Sequence, residues 1–315
     1  MILGGVLVLS GAMAEADTFG TGLNGFTLDF VPIGNAGNGN DVNNPYPSNN
    51  TDEGTPNGGV SYNYRMGTNE ISQEAIDKAV AGGLTGMTAG FWSGNQPSAT
   101  INWYQAAAFT NWLNTSTGHQ AAYELNPALT EVTVWSSGDA WQAGGENLLR
   151  NKNAYYFLTS ENEWYKAADQ KNDGVTANYW DYATGSNSAP TAVESGTGAG
   201  TAVYDYVASL PAGVANAGGL SAYGTMGQGG NVWEWMETAR DGINNSSSEN
   251  RGLRGGGWSG TENYLRSSYR GYDTPASSAS NLGFRVASVP EPSAAMLMIS
   301  AGMLALARRR TRAAL

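Results

Sequence analysis

The tightest constraint on this chain is a carboxylate set between two indoles. Val232, Trp233, Glu234 and Trp235 alternate as a strand does, which puts both indoles on one face and Glu234 on the other. Around them, Gly229 to Trp235 reads Gly-Gly-Asn-Val-Trp-Glu-Trp, Arg254 to Trp258 reads Arg-Gly-Gly-Gly-Trp, and Ser278 to Arg285 reads Ser-Ala-Ser-Asn-Leu-Gly-Phe-Arg. In such apolar company Glu234 needs a partner, because an unpaired buried carboxylate costs several kcal/mol. Two kinds of partner are in reach. Arg240, Arg251, Arg254 or Arg285 can pair with it as an ordinary core ion pair. Alternatively, Asn231 and the Val232 carbonyl complete an oxygen cage for calcium with Glu234.

The 315 residues suffice for one large domain or two small ones, each with a sizeable core. The balance is acidic, 27 Asp and Glu against 16 Lys and Arg, and Arg308, Arg309, Arg310 and Arg312 crowd the last eight positions. The body is therefore more acidic than the total, which disfavours nucleic-acid binding. Forty-three glycines, ten tryptophans and sixteen tyrosines suit a loop-rich domain held by aromatic packing. Cysteine is absent, which leaves the compartment open but restricts the chemistry.

Met1 to Ala14 is an apolar run with Ala12 and Ala14 spaced for signal peptidase, although it has no basic n-region. The expected layout is a signal peptide over 1–14, one domain over 15–288 and a C-terminal signal over 289–315. Asp17 to Ile33 reads as strand-forming, and the Asn-, Gly- and Pro-rich 34–59 segment as a solvated loop. A strand is expected around Val60 to Met66, with Tyr62 and Tyr64 on one face. Ser72 caps a helix through Ala81 that Gly82-Gly83 ends, and Asn102 caps another carrying Ala106, Phe109 and Leu113. His119, the one histidine, lies just past that helix. Tyr155 to Leu158 is a short aromatic strand, and Ser160 with Glu163 forms a capping box that opens a third helix carrying Trp164 and Ala168. The irregular 172–219 region is long enough to suggest a bound ion, a function or disorder.

The ordered set Gly-Asn-Val-Trp-Glu-Trp, Leu-Arg-Gly-Gly-Gly-Trp and Asn-Leu-Gly-Phe-Arg resembles the sulfatase-modifying-factor domain, the fold of formylglycine-generating enzymes. Tyr155 to Ala168 resembles that family's Arg-Leu-Pro-Thr-Glu-Ala-Glu-Trp-Glu-Tyr-Ala-Ala segment, and Asn102 to Leu113 its helix ending in Asn-Trp-Leu. The resemblance covers roughly Phe30 to Ala287. It implies an α+β fold related to C-type lectins, a single loop-rich domain of short strands and two or three helices. It also implies a calcium site at Asn178 and Tyr179, with Asp205 as a candidate further ligand, and structural roles for Arg254 and Arg285.

The family's oxidase uses copper held by two cysteines, at places that Gly260 and Leu265 occupy here. Neither residue binds copper, and with no cysteine anywhere copper is not expected. One histidine cannot build the multi-histidine iron site of the related sulfoxide synthases, nor a facial triad. The alternative enzyme reading places a non-cysteine site at Trp258, Glu262, Arg266, Tyr269 and Arg270. There, Arg266 and Arg270 clamp an anion if their segment is helical, or else pair with Asp273 or Glu262.

From Val289-Pro290-Glu291-Pro292 the composition changes to an apolar run, Ala294 to Ala307, and then to the arginines. This resembles the PEP-CTERM sorting signal of Gram-negative bacteria and implies export, transient membrane insertion by 294–307, and release by sorting and processing machinery. The whole reads as an exported envelope or matrix protein. Its expected ligand is an envelope carbohydrate or protein, bound with exposed Tyr and Trp as stacking surfaces; a purely structural matrix component fits the sorting signal equally well.

Overall fold

The computed structural model describes residues 14–43, 58–88 and 90–290. The expected signal run up to Met13 and the apolar 294–307 segment with its arginines lie outside the described residues. Among the described residues no helix is long and apolar enough to cross a membrane.

The three helices begin where their caps predict. In α1 (Gln73–Ala81) the Ser72 side chain accepts from the Ala75 amide. In α2 (Trp103–Ser116) and α3 (Glu161–Asp169), Asn102 with Gln105 and Ser160 with Glu163 close capping boxes. Ala106, Phe109 and Leu113 of α2 are buried, as their spacing requires.

Two sheets frame these helices. The first is antiparallel, in the order Glu15–Phe19, Phe26–Ile33, Tyr64–Gly67, Val286–Ser288, Tyr156–Leu158. Arg65 links the strands Glu15–Phe19 and Val286–Ser288, donating to both Asp17 carboxylate oxygens and to Ser288 Oγ. The second runs Gly271–Asp273, Arg251–Arg254, Trp233–Ala239, Leu282–Gly283, the last pair being parallel. It is tied to α2 by two indoles. Trp235 Nε1 donates to Ile101 O at 3.0 Å and Trp103 Nε1 to Met236 O at 3.0 Å, so burial of both large rings leaves neither N–H unpaired.

Two sequence expectations change. Asp17 to Ile33 is a hairpin, because Gly20 has φ +68° and a Cβ there would lie 2.4 Å from Asn24 O. Of 60–66 only the end pairs, in Tyr64–Gly67. Tyr62 and Tyr64 do share a side, since both hydroxyls donate to Glu163 of α3. The 172–219 region contains a small parallel pair, Thr191–Ala192 with Thr201–Ala202. His119 is exposed and stacks on Tyr155 at 4.6 Å.

Buried ion pairs lie within the fold beside the apolar core. Arg150 lies between Glu163 and Glu237 at 2.9 and 2.7 Å, and Arg254 and Arg270 share Glu161 at 2.6 and 2.8 Å. All six side chains are almost fully buried, so each charge depends on its partner.

Candidate functional site

The strand Trp233–Ala239 sets the centre of the molecule. Glu234 is fully buried and accepts from Arg285 Nε and NH2, both at 2.7 Å, and from Trp164 Nε1 at 2.7 Å. The remaining Arg285 N–H groups reach the carbonyls of Gly67, Thr68 and Met226. Arg254 faces Glu234 in the strand register, yet its side chain goes to Glu161. Arg251 donates to backbone oxygens and lies over Trp103, and Arg240 lies over Tyr272. Of the four arginines in reach, Arg285 takes the carboxylate.

Of the expected cage of Asn231, Val232 and Glu234, two side chains already have partners. Both Glu234 oxygens serve Arg285, and Asn231 Oδ1 accepts from the Ala212 amide at 2.9 Å. Asn178 donates to Asp173 and the Tyr179 hydroxyl to Gly39 O, while Asp205 sits in a separate turn. Among the described residues no three His, Cys, Asp or Glu side chains gather as a metal-holding group.

Glu70, unremarked in the sequence, sits beside this centre. It accepts from Asn231 Nδ2 at 2.5 Å and from the Val232 amide at 3.2 Å. Burial, and then the neighbouring Glu234 charge, push its carboxyl up to about 8, against the pull of Arg285.

The five residues of the alternative pocket do not converge as a clamp. The 3-10 turn Glu262–Leu265 ends before Arg266, whose backbone is extended, so Arg266 and Arg270 are not one helical turn apart. Arg270 is buried on Glu161 and on the carbonyls of Ala239 and Arg240, while exposed Arg266 lies over Tyr182. Tyr269 packs with Trp233 and Tyr264, and Glu262 is exposed. The positions compared with copper cysteines carry other tasks. Gly260 O accepts from the Asp205 amide, and Leu265 is buried against Tyr182, Ala202 and Tyr204.

Trp258 instead belongs to an aromatic surface that three separate segments build. Phe91 and Trp92 meet edge to face at 4.6 Å, Trp92 and Trp258 at 6.2 Å, and Tyr206 and Trp258 at 5.7 Å, with interplanar angles of 80–85°. Phe91 is 62 % and Tyr206 69 % exposed. Trp92 is fixed by its Nε1, which donates to Ser280 O at 2.7 Å, whereas the buried Trp258 Nε1 finds no acceptor among the described residues. Asp205 and Tyr206 both adopt left-handed backbone, φ +61° and +55°, held by bonds from their amides to Gly260 O and Trp258 O. Two adjacent non-glycine residues in this region store strain that the surrounding bonds must overcome, a feature concentrated at binding sites. Nothing in sequence joins residues 91–92, 206 and 258, so this surface was not legible there.

Residues 30–289 match the family described as Sulfatase-modifying factor enzyme 1-like domain, and residues 288–312 match the PEP-CTERM protein-sorting motif. Three solved structures share the fold. Treponema denticola variable protein 1 is 24 % identical with TM-score 0.59, covering 88 % of this chain and 99 % of its own. CarF is 19 % identical with TM-score 0.55, covering 84 % and 99 %. PvdO from Pseudomonas aeruginosa is 18 % identical with TM-score 0.52, covering 87 % and 98 %. No curated protein matches the chain.

Proposed function

This chain belongs to the sulfatase-modifying factor enzyme 1-like domain family and carries a PEP-CTERM sorting motif, and from that premise we propose that it is a carbohydrate-binding protein of the cell envelope or its matrix. The family's copper chemistry needs thiolates that this chain lacks. What it offers in their neighbourhood is the Phe91, Trp92, Tyr206 and Trp258 surface. That surface is the observation that carries the reading.

Sugars present apolar C–H faces bordered by hydroxyls, and they pair with aromatic rings set among hydrogen-bonding groups. The surface has both parts. Perpendicular rings leave ring faces and edges open, and the Tyr206 hydroxyl and the exposed Asp205 carboxylate stand among them. The sorting motif implies recognition by a sorting machinery and delivery to the envelope, where polysaccharide is the abundant ligand. Both Glu234 oxygens are taken by Arg285 and Trp164, so we assign stability there to the Arg285 pair.

Affinity electrophoresis against a panel of neutral and acidic polysaccharides tests the proposal. Retardation by at least one glycan is expected, with Trp92→Ala and Tyr206→Ala each weakening it about tenfold, on the order of 1.4 kcal/mol. No retardation by any glycan, or retardation untouched by both changes, overturns it; capture of an envelope protein through the same two residues would reassign the surface to protein docking.

A further inference from the structure

The aromatic surface has no secondary-structure element of its own, and yet its Tyr206 turn and Trp258 meet at one buried residue. Asn231 is fully buried with φ +60° and makes four hydrogen bonds, each to a different segment. Its amide donates to Val203 O at 2.8 Å, and its carbonyl accepts from the Trp258 amide at 2.7 Å. Its Oδ1 accepts from the Ala212 amide at 2.9 Å, and its Nδ2 donates to Glu70 Oε2 at 2.5 Å. Val203 and Ala212 bracket the turn that carries Tyr206, and Trp258 is the ring against which Tyr206 packs.

We propose that Asn231, oriented by Glu70, is the positioning residue that holds the Tyr206 turn and Trp258 in register and so sets the affinity of the surface for its ligand. The inference rests on the reading of that surface as a binding site.

The residue types follow from the task. The position needs a left-handed backbone, an acceptor for the Ala212 amide and a second donor aimed elsewhere. Asparagine supplies all three on a short side chain, and it tolerates φ > 0 better than other non-glycine residues. Aspartate would set a carboxylate against Glu70, and glycine would keep the backbone while losing both side-chain bonds. Glu70 fixes which way the amide points. Its acceptor oxygen facing Nδ2 leaves Oδ1 for Ala212, an assignment the bond network dictates. Its other oxygen takes the Val232 amide, so the carboxyl spans two consecutive residues of the motif. Gly227 makes room for it, since a Cβ there would lie 3.1 Å from Glu70 Cδ.

Three single variants of the full chain test this: Glu70→Ala, Asn231→Gly and Glu70→Gln. Two readouts are needed, glycan affinity and residue-resolved hydrogen exchange without ligand. In Glu70→Ala and Asn231→Gly, exchange at Tyr206, Ala212 and Trp258 should accelerate at least about tenfold while the amides of Tyr64–Gly67 and Val286–Ser288 keep their protection. Glycan affinity should fall about tenfold in both variants, while Glu70→Gln, which keeps one acceptor oxygen, should retain most of the affinity and protection that Glu70→Ala loses. Asn231→Gly serves as the milder variant if Glu70→Ala does not fold. Unchanged exchange at the three amides, acceleration spread evenly over both sheets, or affinity lost equally in Glu70→Gln would overturn the proposal. If the wild-type chain binds no glycan while the three amides respond as expected, the carbohydrate reading fails and the positioning of this surface by Asn231 stands.

Discussion

Arg285 closes on Glu234 through two hydrogen bonds of 2.7 Å, and both side chains are fully buried. Arg285→Ala leaves Glu234 with Trp164 alone and should cost about 3–5 kcal/mol in chemical denaturation. Arg285→Met combined with Glu234→Gln, which removes both charges, should recover more than half of that loss. A single variant as stable as the wild type would show that the pair contributes nothing net.

Glu70 gives the protein a distinctive response to alkali. Its carboxyl is raised from 4.5 to about 8 in the fold, so between those values the unfolded chain releases a proton that the folded chain keeps. The stability from this group is therefore fully present below about pH 4.5 and lost as pH rises through about 8. Melting temperatures of wild type and Glu70→Gln, recorded from pH 5 to 9, should converge or cross as pH rises, with the wild type losing more. Parallel curves would place the titration elsewhere.

The left-handed backbone at Asp205 predicts a trade between stability and binding. Asp205→Gly removes the steric penalty of φ +61° and should stabilise the fold by roughly 0.5–1 kcal/mol. It also removes a hydrogen-bonding group from the surface, so glycan affinity should weaken. A destabilised variant would mean that the Asp205 side chain makes contacts stronger than the strain it tolerates.

Chelation should leave the melting temperature unchanged, because the Glu234 oxygens already serve Arg285 and Trp164. Elemental analysis of the purified protein is the companion measurement. Calcium at near-integral stoichiometry, with a melting point lowered by chelator, would put a cation on oxygens outside the Asn231, Val232 and Glu234 set.

The elements legible in the sequence were those whose determinants are local. Ser160 and Glu163 lie three residues apart and bond each other's backbone, so the start of α3 can be read from four letters. The alternation of Val232 to Trp235 likewise foretold a strand with a buried acid. What stayed hidden depends on distance in sequence. Arg254 stands opposite Glu234 in register but pairs with Glu161, 93 positions away, because α3 lays that carboxylate beside it while Arg285 takes Glu234. Glu70 carried no motif, and it gains importance when the fold sets it 161 positions from Asn231. Phe91, Trp92 and Tyr206 lie far apart in sequence, and only the fold sets Trp92 and Tyr206 against Trp258.

The last strand made is an interior one. Val286–Ser288 pairs on one side with Tyr64–Gly67 and on the other with Tyr156–Leu158, so the first sheet has a gap until residue 288 is free. Arg285, next to it, also leaves Glu234 unneutralised until that moment. The sorting motif begins at residue 288, so the strand that closes the sheet and the sorting motif meet at one residue. A chain ending before residue 285 would leave Tyr64–Gly67 and Tyr156–Leu158 unjoined and Glu234 without its arginine.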